Sequence, residues 1–166
     1  MNSQSATVAY LRNFIFGVED SLVSTVGLLS GVAIAGMEPK QIFLTGIILI
    51  FVEAVSMSAG SFLSESSAEE YVSQSEKVTK KSYFAALVMF FSYAISGFVP
   101  LLPYLFLPLS TAFVVSIVLS ILALFALGVI SAKLSKTHFL KGALRMAVIG
   151  GVAILVGAGI GSVFGG

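Results

Sequence analysis

Apolar residues run along this chain in five long stretches, and short polar or proline-containing segments separate them. Each stretch is uninterrupted rather than alternating, and is close to the 20 or so apolar residues that a helix needs to cross a bilayer. The pattern therefore predicts an all-α integral membrane protein rather than a β-barrel. The five predicted transmembrane helices cover residues 14–36, 41–63, 83–99, 109–132 and 142–164.

The segments between the stretches set the helix boundaries. The first stretch stops at Pro39, and the third stops at Pro100 and Pro103, because proline cannot donate the hydrogen bond that continues a helix. Residues 64–82 form a short connection that carries both acids and lysines. We predict that residues 1–166 form a single transmembrane domain.

Composition narrows the function classes. Hydrophobic residues make up 57% of the chain and charged residues only 10%, whereas a soluble domain carries about 25% charged residues. A net charge of +1 gives no reason to expect nucleic acid, and the absence of cysteine excludes disulfides and thiolate metal sites. The chain has no nucleotide-binding G-x-x-x-x-G-K-[ST] motif, so the sequence does not support transport driven by ATP hydrolysis. We predict that the protein is not an enzyme and carries no resident cofactor.

Basic residues are biased toward one side of the predicted helices. Eight of the nine Lys and Arg residues would lie on one side, and Lys40 alone on the other. Because basic loops stay in the cytoplasm, the N-terminus is expected inside, and five spans place the C-terminus outside. The eight residues are Arg12, Lys77, Lys80, Lys81, Lys133, Lys136, Lys141 and Arg145.

Three acids lie within the apolar stretches, namely Glu19, Asp20 and Glu53. Each costs about 2.5–3.5 kcal/mol near the centre of a membrane helix, and no Lys or Arg lies in the same stretches to neutralise them. Two explanations remain open. The acids are protonated and hydrogen-bond between helices, or they form a site for a cation or a proton, which supplies the missing positive charge.

Met57 in the second helix lies at a depth similar to that of Asp20. Both are about 9 Å from the cytoplasmic ends of their antiparallel helices. Glu53 is one turn deeper, on the same helix face as Met57. Carboxylates combined with a thioether suit a borderline ion such as Fe²⁺ better than Ca²⁺ or Mg²⁺. We therefore predict a metal site that contains Asp20, Met57 and Glu53, with Glu19 beside it.

Small residues continue the Asp20 face of the first helix in steps of three and four, at Ser24, Gly27, Gly31 and Ala35. Small side chains let membrane helices approach closely. This face is therefore expected to pack against protein rather than lipid. Three glycines of the fifth predicted helix repeat the spacing, for which helix packing is the ordinary explanation.

Four segments carry motifs that occur in order along nearly the whole chain. Residues 16–28 read FGVEDSLVSTVGL, residues 53–60 read EAVSMSAG, and residues 97–104 read GFVPLLPY. A fourth segment runs from Arg145 to Ala153. The first three segments resemble, in order, the signatures FG-x-x-DGLVST-x-GL, EA-x-SM-x-AGE and G-x-x-x-PLLPY of the vacuolar iron transporter family. The fourth segment resembles the start of the fifth helix in that family.

The resemblance implies a five-helix homodimer that exchanges Fe²⁺, and often Mn²⁺, for protons, with the ion path at the dimer interface. The family's membrane ligands, an aspartate and a methionine, correspond to Asp20 and Met57. We predict a secondary transporter that moves divalent metal out of the cytoplasm across a lipid bilayer, in a prokaryotic cell membrane or, alternatively, a vacuolar membrane. Two other functions stay open: a non-transporting scaffold subunit, and a transporter of another divalent cation on the same fold.

The chain departs from the family pattern at several positions. Ser21 replaces the glycine that follows the aspartate, Ser61 replaces the glutamate of AGE, and Glu19 adds an acid. Typical members also carry a long, glutamate-rich cytoplasmic domain between the second and third helices. Residues 64–82 are too short to form it.

Four acids remain in this connection, namely Glu65, Glu69, Glu70 and Glu76. On one extended helix they are expected to capture metal at the cytoplasmic mouth. The alternative is that they form a solvated helix stub and balance the neighbouring lysines. His138, the only histidine, lies in the last basic loop and is expected to be a surface residue.

Overall fold

The computed structural model describes residues 3–74, 79–136 and 138–165, and contains no β-strand in these ranges. The helices are α1 Ser3–Ile34, α2 Pro39–Ser73, α3 Lys80–Leu101, α4 Pro103–Phe106, α5 Leu109–Leu134 and α6 Phe139–Phe164. All except α4 are long and apolar enough to cross a membrane. The predicted all-α architecture with five candidate membrane spans is therefore confirmed.

The first two helices extend beyond their apolar stretches. α1 begins at Ser3 rather than at residue 14, and α2 continues to Ser73 rather than ending at residue 63. Residues 64–73 contain no proline or glycine, so no helix breaker stops α2 where the apolar run ends. The helix ends where Gln74 adopts a left-handed backbone conformation with φ of 52°. Much of the connection predicted at residues 64–82 is therefore helix.

The remaining bounds lie close to the predicted ones. Pro100 is in the last turn of α3, and Pro103 is the first residue of the single-turn helix α4. Pro108 then precedes α5 as its N-cap residue. The chain thus turns between α3 and α5 at the prolines, where the sequence predicted a break.

α1 packs along α3 and α6, α2 packs mainly against α3, and α5 packs against α6. Gly27 and Gly31 of α1 lie directly against α6. A Cβ atom added to Gly157 would overlap the carbonyl oxygen of Gly27, and one added to Gly161 would overlap that of Gly31. The expected packing of the small-residue face against protein is confirmed, and its partner is α6. α1 and α2 contact each other much less, which leaves a cavity between them.

Candidate metal site

The cavity between α1 and α2 has a volume of about 770 Å³. Glu19 of α1 and Met57 of α2 both line it, so the structure brings these two predicted ligands to one space. Both side chains are partly buried. The thioether and one carboxylate of the predicted set therefore share a cavity large enough for a cation and several water molecules.

Asp20 and Glu53 form a second pair. Both are partly buried, and their charges are close enough to interact. Both charges also interact with the phenol of Tyr93, a fully buried residue of α3. The Tyr93 hydroxyl shares a hydrogen bond of 2.7 Å with Oγ of Ser24. Three helices thus contribute polar groups to one region inside the helix bundle.

The four predicted ligands do not close into one coordination site within a single chain. Glu19 and Met57 line the cavity, whereas Asp20 and Glu53 do not. Among residues 3–74, 79–136 and 138–165, no group of three His, Asp or Glu side chains could hold a metal ion. Transition metals usually take about four to six ligands, so one chain supplies only part of the set.

Sequence reasoning missed two buried polar residues near this region. The sequence offers a signal for Tyr93, because a phenol in the middle of a span is unusual and tyrosine favours the membrane interface. Asn13 lies one residue before the first apolar stretch, so the search for polar residues within the stretches does not include it. Its side chain is buried and accepts a hydrogen bond of 2.6 Å from Oγ of Ser61, the residue that replaces the family glutamate.

A second cavity, of about 310 Å³, lies where α1 meets α5 and α6. Glu19 lines this cavity as well as the first, and Arg145 of α6 lines it from the other side. Glu19 therefore lines two separate cavities. His138, at the start of α6, is exposed as predicted.

Glu65, one of the acids expected to capture metal, is already paired with cations. Its side chain is only 5% exposed, and it forms ion pairs with Arg12 of α1 and with Nζ of Lys81, the latter at 3.1 Å. A metal ion arriving at Glu65 would have to compete with both. This arrangement matches the charge-balance alternative for Glu65, with Arg12 as an additional partner that the sequence did not indicate.

Glu69 has a similar environment at the start of α3. It lies 3.5 Å from Nζ of Lys81 and accepts hydrogen bonds from the hydroxyls of Thr79, at 2.6 Å, and Ser82, at 3.0 Å. Glu70 is partly buried on the same helix. Glu76 lies outside the described residues. Metal capture by these acids stays a prediction.

Comparison with known proteins tests the family resemblance that the four sequence motifs indicated. The model of the VIT family matches residues 11–83 and 72–162, which together include most of the chain. The chain belongs to the VIT family. It is also similar to vacuolar iron transporter homolog 3 of Arabidopsis thaliana, with 30% identity over 163 residues that cover 92% of this chain and 82% of that relative. The resemblance drawn from the four motifs is thereby confirmed, and the candidate ligands of this VIT-family chain all lie within the matched ranges.

Proposed function

We propose that this protein is a secondary transporter that moves a divalent metal ion, Fe²⁺ with Mn²⁺ as a second cargo, out of the cytoplasm in exchange for protons. Membership of the VIT family and the name of the Arabidopsis relative, a vacuolar iron transporter homolog, support iron as the cargo. The observation that carries the proposal is the cavity between two membrane helices that joins Glu19 to Met57.

The chemistry of the four candidate ligands suits exchange of metal for protons. An ionised carboxylate binds a divalent cation, and the same group carries a proton after the cation has left. Glu19, Asp20 and Glu53 supply three such groups, and the thioether of Met57 adds a soft ligand that favours transition metals over Ca²⁺ and Mg²⁺. The basic asymmetry of the loops supports a cytoplasmic N-terminus.

The proposal includes a two-fold homodimer. One chain supplies an incomplete ligand set among the described residues, and a second copy would double it. An apolar groove of about 570 Å³ along α1 and α6 offers a surface that a second copy could cover in the membrane. A cell membrane or a vacuolar membrane fits this architecture equally well.

The test is metal flux into proteoliposomes that contain only the purified chain. Fe²⁺ and Mn²⁺ should enter when the proton gradient is imposed, and a pH-sensitive dye inside the vesicles should report proton movement in the opposite direction. Ca²⁺ and Mg²⁺ serve as matched control ions, because they lack affinity for a thioether. Absence of flux for every divalent ion, in vesicles with correctly folded protein, would refute the proposal and favour a scaffold role.

A further inference from the structure

Four cations lie at the end of α5 and the start of α6, on either side of the loop that joins these helices. All four side chains are exposed, and none of them forms an ion pair among the residues that the structure describes. No Asp or Glu occurs in residues 77–166. We call these residues the α5–α6 cationic cluster; they are Lys133, Lys136, Lys141 and Arg145.

Other cations on the same predicted side of the membrane are neutralised within the chain. Arg12 pairs with Glu65, and Lys81 pairs with both Glu65 and Glu69. Basic residues beside a membrane span are ordinary on the cytoplasmic side, so their number alone indicates no ligand. The α5–α6 cationic cluster differs because its charges have no carboxylate partner in the described chain and because it borders a cavity.

The cavity beside the cluster is the one of about 310 Å³ between α1, α5 and α6. Arg145 lines this cavity and is exposed, so the cavity is accessible from outside the helix bundle at this residue. Ser131 lines it from α5 and adds a hydroxyl group. The volume lies at the lower end of the range of small-ligand pockets, about 300–1,000 Å³. The cluster therefore has a cavity that can receive part of a ligand.

Glu19 is the acid that lines this cavity, and it lies away from the loop. The glycine contacts between α1 and α6 occur in the same order along both helices, so the two helices are parallel. Because Gly27 lies against Ala153 and Gly157, Glu19, about two turns earlier, is level with residues 145–149. An anion that approaches from the loop therefore meets the lysines of the cluster before it meets the Glu19 carboxylate.

Exposed apolar side chains border the cationic cluster. Ile130 and Leu134 lie near the end of α5, and Leu140 and Leu144 lie near the start of α6. Each of the two helix ends thus presents apolar surface beside positive charge. A phospholipid matches both features, because its phosphate binds the cations while its acyl chains cover the apolar residues. A soluble anion would contact the cations alone.

We propose that the α5–α6 cationic cluster and the adjoining cavity form a binding site for an anionic phospholipid. The Arg145 guanidinium and the Ser131 hydroxyl hold the lipid phosphate where the cavity opens, and the three lysines surround it. The acyl chains lie against Leu140 and Leu144. Arginine suits this position because its planar fork donates two parallel hydrogen bonds to a phosphate group. The site does not depend on the proposed transport of metal.

A single introduced tryptophan tests the site, because the chain contains no tryptophan and the fluorescence then reports on one position. Leu144→Trp places it on an exposed position beside Arg145. Val114→Trp is the matched control, because it is also exposed and lies five residues from the start of α5, as Leu144 does from the start of α6. The two positions are near opposite faces of the membrane.

Quenching by phosphatidylglycerol with brominated acyl chains is compared with quenching by brominated phosphatidylcholine in mixed vesicles. At Leu144→Trp the anionic lipid should bind at least five-fold more strongly, because one Lys or Arg near a membrane surface contributes about five-fold in affinity. At Val114→Trp the two lipids should quench equally. The same preference at both positions would show that the inference is wrong.

Charge variants in the Leu144→Trp chain identify the residues that hold the lipid. Arg145→Gln should lower the preference about five-fold, and Arg145→Lys, which keeps the charge but not the planar fork, should restore part of it. Lys40→Gln removes one exposed cation on the other predicted side and should have no effect. Unchanged quenching by phosphatidylcholine shows that each variant is inserted correctly. A parent-like preference in a correctly inserted Arg145→Gln protein would overturn the proposal.

Two further measurements separate a lipid site from diffuse attraction and from a soluble ligand. Diffuse attraction would disappear in about 1 M salt, where the Debye length is about 3 Å, whereas a site retains part of its preference. Inorganic phosphate, compared with chloride at equal ionic strength, should not displace the lipid from Leu144→Trp. Loss of all preference in high salt, or displacement by inorganic phosphate, would each contradict a phospholipid site.

Discussion

Asp20 and Glu53 interact electrostatically, although neither forms an ion pair with a basic residue in the part of the chain that the structure describes. Two carboxylates that interact inside a membrane cannot both carry their charge without compensation, because little water is present to solvate them. A metal cation or protons can supply that compensation. The same electrostatic requirement therefore explains why the site would bind metal and why it would release protons when it does so.

Asp20→Asn tests this requirement at the residue that belongs to the family motif. The amide keeps the shape of the side chain but cannot ionise, so metal-coupled proton movement should fall by about 100-fold or more. Loss of a group that only supports a metal ligand already lowers metal affinity or activity by about 10- to 100-fold. Proteoliposome flux with a pH-sensitive dye measures the change. Asp20→Glu keeps the charge and should retain part of the activity. Native rates and native proton coupling in Asp20→Asn would show that the site is assigned to the wrong residue.

Glu19, Asp20 and Glu53 could be identified from the sequence, because an ionisable group within an apolar run is evident from the order of residues alone. Met57 could be identified from its depth in the second helix and from the helix face that it shares with Glu53. Their surroundings could not. The ion pair between Arg12 and Glu65 joins residues that are 53 positions apart, and Tyr93 hydrogen-bonds Ser24 only because α3 packs against α1. Metal capture was assigned to Glu65 and Glu69 on their helical spacing. That spacing shows which residues share a face, but not which cations from other helices occupy it.

At the scale of the helices, the apolar stretches located the membrane spans but not the ends of α1 and α2. Hydrophobicity stops where lipid stops, whereas a helix stops only where the backbone is interrupted. Pro100 and Pro103 supplied such an interruption and could be predicted from the sequence. Residues 64–73 supplied none, so α2 continues to Ser73. This extension places Glu65 against Arg12 and Glu69 beside the start of α3.

The contact between α1 and α6 depends on the absence of side chains at its glycines. A methyl group at Gly157 would overlap backbone atoms of Gly27, which cannot move aside as a flexible side chain would. Gly157→Ala should therefore destabilise the protein by about 1–3 kcal/mol, measured as a lower midpoint of thermal unfolding in detergent. Gly159→Ala is the matched control on the same helix, because a methyl group there meets no atom within 4 Å. Equal unfolding midpoints for the two variants would contradict the close packing of α1 on α6.

At the scale of the whole molecule, charge is divided between the two parts of the chain. All eight acids occur at or before Glu76, and residues 77–166 carry only basic charges. α1 and α2 thus supply the carboxylates of the candidate path. Later helices supply Lys81, which pairs with Glu65 and Glu69, and Arg145, which lines the smaller cavity together with Glu19. The fold could be predicted in outline from separate stretches, because each span is long and apolar by itself. The site, in contrast, depends on how those stretches meet.

The incomplete ligand set of one chain leads to a prediction about assembly. Native mass spectrometry from lipid nanodiscs should show a complex of two 17.4 kDa chains, because a second copy would complete the coordination of a metal that wants about four to six ligands. Co-reconstitution with Asp20→Asn chains then tests whether the copies share one site. In an equal mixture of native and variant chains, a shared site leaves about a quarter of the flux, because only dimers of two native chains are active, whereas independent sites leave about half. Protein that lacks native dimers altogether, yet transports at the full rate, would show that each chain forms a complete path by itself.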